Sequence, residues 1–211
     1  MDSSRFHQLW QRNVSGGNAW EPGRVFDYLA DLYAEPIRNY HNSDHIELCL
    51  EWFDRYRDLT VDPDAIELAI WFHDACYGPE PIGHENRSAG LFRKLSADGI
   101  SKDRQDKICQ LIMDTTHQQP PSNDDASLLV DIDLASFARP WHPYLKDTAR
   151  CRAERSHLDE GELCRCQIDF LQSLMSRPYI YYSQAFRLYH EDQARQNITK
   201  LIELLSLRTC S

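Results

Sequence analysis

The chain has 211 residues, of which 42% are hydrophobic and 27% charged, enough for one ordinary globular domain with a full core and too apolar for disorder. Its 23 basic against 33 acidic residues leave a net charge of -10, which disfavours sequence-independent binding to nucleic acid or to an acidic membrane. The longest apolar run, Leu68–Phe72, is far short of the ~20 residues a membrane helix needs, and no secretory pattern follows Met1, so a cytoplasmic protein is expected.

Helical periodicity dominates from end to end. Arg5 to Arg12 and Val25 to Ala34 read as two leading helices around a Gly16-Gly17 loop, the second closed by Pro36. A third starts near Asn42 or Ser43, both good caps, and carries Ile46, Cys49, Leu50, Phe53 and Tyr56 on one face. Asp62 and Pro63 open a fourth, apolar almost all round from Ala65 to Phe72 and therefore central; Gly78, Pro79 and Pro81 end it. A fifth runs from Glu85 to Leu95, and a sixth begins at Ser101 and buries Ile108, Leu111 and Ile112. After the break at Pro120-Pro121-Ser122-Asn123, a seventh spans Ala126 to Ala138 and stops at Pro140. Two long amphipathic stretches finish the chain: Tyr144 to Met175, with a break at Gly161, and Ser183 to Leu207, with Ala194, Ile198, Leu201, Ile202 and Leu205 as its stripe. One all-α helical bundle over residues 1–211 is expected, with its core motifs in 38–135 and C-terminal helices in 144–207.

The seven cysteines are an odd number, and Cys164 and Cys166 are too close for the usual zinc pair. Reduced structural thiols are expected, with Cys49, Cys76 and Cys109 as small hydrophobes in apolar helices.

The sharpest chemical signal is His73-Asp74 at the end of the most apolar helix. A carboxylate on such a surface is costly unless it is paired, hydrogen-bonded or bound to a cation. Upstream, His41 and His45 are one helical turn apart, and His45 continues the inward stripe towards Cys49 and Phe53. Downstream, Asp131-Ile132-Asp133 interrupts another apolar helix; Asp133 shares a face with Leu129, Val130 and Phe137, and Asp131 falls nearer the polar side. Two imidazoles and two carboxylates from buried helices suit one divalent ion with positions left open for water and substrate.

The order His…His-Asp…Asp on helices resembles the HD-domain superfamily of metal-dependent phosphohydrolases. Tyr40-His41-Asn42-Ser43-Asp44-His45 and Trp71-Phe72-His73-Asp74 also look like the signature of its cyclic-nucleotide phosphodiesterases. A closer likeness is to the bacterial family of predicted metal-dependent HD phosphohydrolases, carried by Arg38–His45, Ala69–Tyr77, Asn86–Ala89, Asp131–Ala135 and Glu191–Asn197. The resemblance implies an HD-type bundle with one divalent metal (Mn, Mg, Zn, Fe, Ni and Co fit alike) on His45, His73, Asp74 and Asp133. A second metal is the weaker expectation. It implies His41 as general acid, and a small phosphorylated substrate, a nucleotide above all, cleaved by metal-activated water. Gly83-His84 departs from that family's pattern, where an acid or amide is usual.

Arg38 is expected to clamp phosphate, because guanidinium binds two oxygens at once, and Arg87 is a weaker case. Glu85 and Asn86 are expected to orient a ligand or bound water, and His117 to contact substrate or support the site. The competing reading is a non-catalytic nucleotide- or metal-binding sensor on the same fold.

Overall fold

The computed structural model describes residues 1–78 and 83–209; the expected stop at Pro79 and Pro81 lies outside them. All regular structure among the described residues is helical, as an all-α chain requires. The sequence suggested one domain; the chain gathers into two compact units, Met1–Ile132 and Asp133–Ser211.

The first unit contains α1 (Ser3–Asn13), α2 (Pro22–Tyr33), α3 (Ser43–Tyr56), α4 (Pro63–Phe72), α5 (His84–Ser96), α6 (Lys102–Asp114) and α7 (Asp124–Asp133), whose last residue opens the second unit. Side chains start several of these helices by accepting backbone N–H groups that would otherwise be orphaned. Asn42 accepts from Asp44, Asp62 from Ala65 with Pro63 behind it, and Ser101 from Arg104.

α4 is the axis of this unit. Every residue from Ala65 to Phe72 is buried, and the helix packs against α1, α3, α5 and α6. Its one charged residue in that stretch, Glu67, accepts from Arg5 (2.7 Å) and Arg57 (3.0 Å), which makes its burial tolerable. Aromatic rings close the packing: Phe6 meets Trp71 edge-on at 5.1 Å, and Phe72 meets Phe92 at the same separation.

Between α5 and α6 the chain reverses through Ser96–Gly99, the Gly99 N–H donating to the Ser96 carbonyl at 2.9 Å. Gly99 is required there, since a Cβ would stand 2.6 Å from the Ala19 methyl and 2.9 Å from the Gly16 carbonyl. Ala97 carries the turn at φ 42°, where glycine is the usual occupant.

The second unit holds a 3-10 turn (Leu134–Ala138), α8 (Trp141–Ala153), α9 (Glu160–Met175) and α10 (Gln184–Thr209), with α10 lying on α9 and on the turn. The Glu191–Asn197 motif knits this unit. The buried Glu191 carboxylate accepts from the Ile180 and Tyr181 amides, and Asn197 donates to the Phe137 and Arg139 carbonyls.

Two expected boundaries move. The seventh helix, expected to reach Ala138, keeps α geometry only to Asp133 and tightens into the 3-10 turn. The break expected at Gly161 falls earlier, because Asp159 and Glu162 form a reciprocal capping box that starts α9 and leaves Gly161 inside its first turn.

Candidate metal centre

His45 stands in the first turn of α3, on the inward face with Ile46 and Cys49, and is buried. His73 directly follows α4: its backbone is still helical, and its N–H donates to the Ala69 carbonyl. Asp74 opens the turn beyond, so the pair rides on the end of the most buried helix rather than within it. The four-residue spacing of His41 and His45 suggested one helical face, but α3 starts at Ser43 and His41 lies in the turn before it. Their rings nevertheless sit 5.8 Å apart.

Three ligand atoms converge. His45 Nε2 is 3.3 Å from His73 Nε2 and 3.5 Å from Asp74 Oδ2, and His73 Nε2 is 3.2 Å from the same oxygen. Donors held about 2.1 Å from one ion in tetrahedral directions stand about 3.4 Å from each other. The triangle therefore has the edge lengths of one tetrahedral face. His73 Nδ1 is 2.9 Å from the Ile70 carbonyl, an acceptor only, so Nδ1 carries the proton and the Nε2 lone pair points at the other two donors. The chemistry of this donor set fits a divalent cation.

Electrostatics agree. Burial alone would push the Asp74 carboxyl up, but with no metal bound the imidazoles of His73, His41 and His84, as cations and hydrogen-bond donors, outweigh it and hold it well below the usual carboxylate range. A divalent ion would take over that charge when His73 Nε2 gives up its proton to ligate. Asp74 is thus an anion in the interior, with its second oxygen, Oδ1, 3.4 Å from His84 Nε2. The same nitrogen is 3.3 Å from Glu85 Oε1, so the N-terminus of α5 is drawn to the back of the Asp74 carboxylate.

The 73–77 turn is held on two sides. From α5, Ser88 Oγ accepts from the Cys76 amide and Arg87 donates to the Cys76 carbonyl. From the segment between α2 and α3 comes Arg38. Its Nε donates to Glu35, one terminal nitrogen to the carbonyls of His41 and Asp74, and the other to those of Ala75 and Tyr77. A guanidinium has five N–H groups, and these are all five. The expected phosphate clamp is corrected on that ground: Arg38 is buried, and its donors serve the protein's own carbonyls. Tyr77 lays its ring against that of His41, 4.0 Å between centroids and 20° from parallel.

The ligand group His45–His73–Asp74 includes none of Glu85, Asn86 and His117. Asn86 and Arg87 are exposed on α5, and His117 follows α6 half-buried with φ 56°. Asp133, the last residue of α7, is half-buried and belongs to the second unit, whereas Asp131 is fully buried. The expectation that Asp133 is the buried one of the two is therefore reversed: Asp131 lies within α7, and Asp133 ends it.

Two participants were not read as such from the sequence. Cys49, taken for a small hydrophobe, has its Sγ 3.7 Å from His45 Nε2; the i,i+4 spacing of His45 and Cys49 was the available signal. Tyr77 gave no signal, since a tyrosine beyond a helix end has no characteristic spacing. No protein-family model, curated protein or solved structure matches this chain.

Proposed function

We propose that the chain is a metal-dependent phosphohydrolase of the HD-domain kind, acting in the cytoplasm on a small phosphorylated molecule. A nucleotide is the class best suited to its acidic composition, because a net charge of -10 disfavours long polyanions more than a single short one. The observation that carries the reading is the triangle of His45 Nε2, His73 Nε2 and Asp74 Oδ2, with edges of 3.2 to 3.5 Å.

A divalent ion bound there would act as a Lewis acid towards a phosphoryl oxygen and make a water a better nucleophile at neutral pH. The chain's own residues supply the rest. His73, with Nδ1–H committed to the Ile70 carbonyl, is fixed in the tautomer that can ligate. His84 and Glu85 keep Asp74 turned so that Oδ2 faces the two imidazoles. His41, half-buried in the turn before α3, would hold the proton that the leaving oxygen takes. The family resemblance implies a fourth ligand, the Asp133 carboxylate, and Asp133→Ala tests that point by itself.

The test is metal analysis of the purified protein, followed by a screen of phosphomonoesters, phosphodiesters and nucleotides with several divalent ions. Near-stoichiometric metal and metal-dependent phosphate release are expected, and both should vanish in Asp74→Asn. Bound metal with no turnover of any phosphate ester would favour the sensor reading. A metal-free protein that no divalent ion stabilises would overturn both.

A further inference from the structure

His41 is tied twice to the turn that carries Asp74. Its carbonyl shares one terminal nitrogen of Arg38 with the Asp74 carbonyl, at 3.2 and 2.7 Å. Its ring lies flat on Tyr77, whose own carbonyl takes another Arg38 N–H at 3.1 Å. The Arg38 side chain is fully enclosed and its charge faces Glu35 and four carbonyl oxygens. We infer that Arg38 and Tyr77 are positioning residues: together they lock the imidazole of His41 in register with the metal-ligand turn. The inference rests on the proposed role of His41 as the acid.

The physical basis is donor geometry. Four carbonyls in two segments that approach from different directions can be bridged by a planar fork with donors on three nitrogens. A lysine ammonium offers three donors from one nitrogen, so it can keep the charge yet cannot span the same acceptors. The ring contact then settles what the backbone clamp leaves open, the rotation of the imidazole about its side-chain bonds. A merely structural Arg38 would hold the 74–77 turn without affecting which way His41 faces.

The test uses the full-length protein, as purified and after zinc addition, in four forms: wild type, Arg38→Lys, Tyr77→Leu and Tyr77→Phe. Proton NMR of the histidine rings, with His41 assigned by the loss of its signals in His41→Gln, reads its position without any turnover. A nucleus over the face of an aromatic ring is shielded, so the His41 signals should move downfield in Tyr77→Leu and stay in place in Tyr77→Phe. In Arg38→Lys they should shift or broaden.

Kinetics give the second readout. With an alkyl phosphate, whose leaving group needs a proton, Arg38→Lys and Tyr77→Leu should each lose about tenfold or more in kcat, part of the ~100-fold or larger effect typical of a general acid. With a nitrophenyl phosphate the loss should be less than about threefold, and Tyr77→Phe should follow wild type on both. In a His41→Gln background neither substitution should cost anything further on the alkyl ester.

Unchanged His41 signals in folded Tyr77→Leu and Arg38→Lys would overturn the inference, and so would equal losses on the two esters. If Arg38→Lys fails to fold, Tyr77→Leu carries both readouts. A wild type that hydrolyses neither ester with any metal defeats the phosphohydrolase reading instead, and the ring signals then decide the positioning claim alone.

Discussion

Asp74 is an ionised carboxylate with both oxygens engaged in a nearly closed interior: one faces two imidazole nitrogens and the other a third. The two oxygens have separable roles. Asp74→Asn removes the charge and should abolish stoichiometric metal. His84→Ala leaves the ligand in place but frees its Oδ1, and should weaken metal affinity by about 10- to 100-fold, as loss of an outer partner typically does. Titration with a chelating competitor reads both, and a His84→Ala protein with wild-type affinity would show that Asp74 orients itself. This residue was legible in outline only. His73-Asp74 stood out because a charge on the most apolar helix needs a reason, and His45 because it shares the inward stripe of α3. His84 registered only as a departure from a pattern, although its imidazole completes the setting of Asp74. Arg38 drew notice as a cation beside a motif, but whether a guanidinium meets a ligand or its own backbone depends on which carbonyls arrive from 36 to 39 residues away. Such distant partners leave no trace in local spacing.

Two predictions belong to helices and turns. Asp62 caps α4 and also takes hydrogen bonds from Arg104 and Lys107. Burial would raise its carboxyl, but those bonds win and bring it down to about 2. A folded-state value below the unfolded one contributes stability that is fully present above the unfolded value, near 3.9, and is lost as pH falls towards the folded value. Asp62→Ala should therefore be less stable than wild type by about 1–2 kcal/mol at neutral pH, the cap together with its partly exposed ion pairs. The gap in urea midpoints should close between about pH 4 and pH 2. Ala97, in the reversal after α5, adopts φ 42° and ψ -123°, the backbone of a turn position that glycine fills without strain. Ala97→Gly should stabilise the protein by about 1 kcal/mol, and Gly99→Ala should destabilise it by about 1–3 kcal/mol through its clash with Ala19 and the Gly16 carbonyl. Thermal melts of the two variants check both signs. Helices were the most legible scale, because caps such as Asn42, Asp62 and Ser101 and the run Ala65–Phe72 act locally. The misplaced break before α9 has a local cause too: a glycine in a first turn is cheap, so Gly161 marked no boundary, and the acidic pair around it did.

At the scale of the molecule, His45, His73 and Asp74 all belong to the unit Met1–Ile132, so metal should act on the folding of that unit. An ion present at about 100 times its Kd adds about 2.7 kcal/mol to the state that binds it. Chelation should therefore lower the melting midpoint of wild type and leave that of Asp74→Asn unmoved; a chelator-insensitive wild type would remove the metal from the account. Of the six described cysteines, Cys166 alone is exposed. Burial pushes the Cys109 thiol up to about 11, so thiol reagents should modify Cys166 first and reach Cys109 only on unfolding. Among the described residues no helix is long and apolar enough to cross a membrane. The complete enclosure of Ala65–Phe72 has one more consequence. Its amides can meet solvent only when the surrounding helices separate, so their deuterium uptake should be the slowest in the first unit and should track its global opening. The histidine-aspartate pair is thus moored to the last part of that unit to let water in, and ordinary breathing of the surface would leave its alignment untouched.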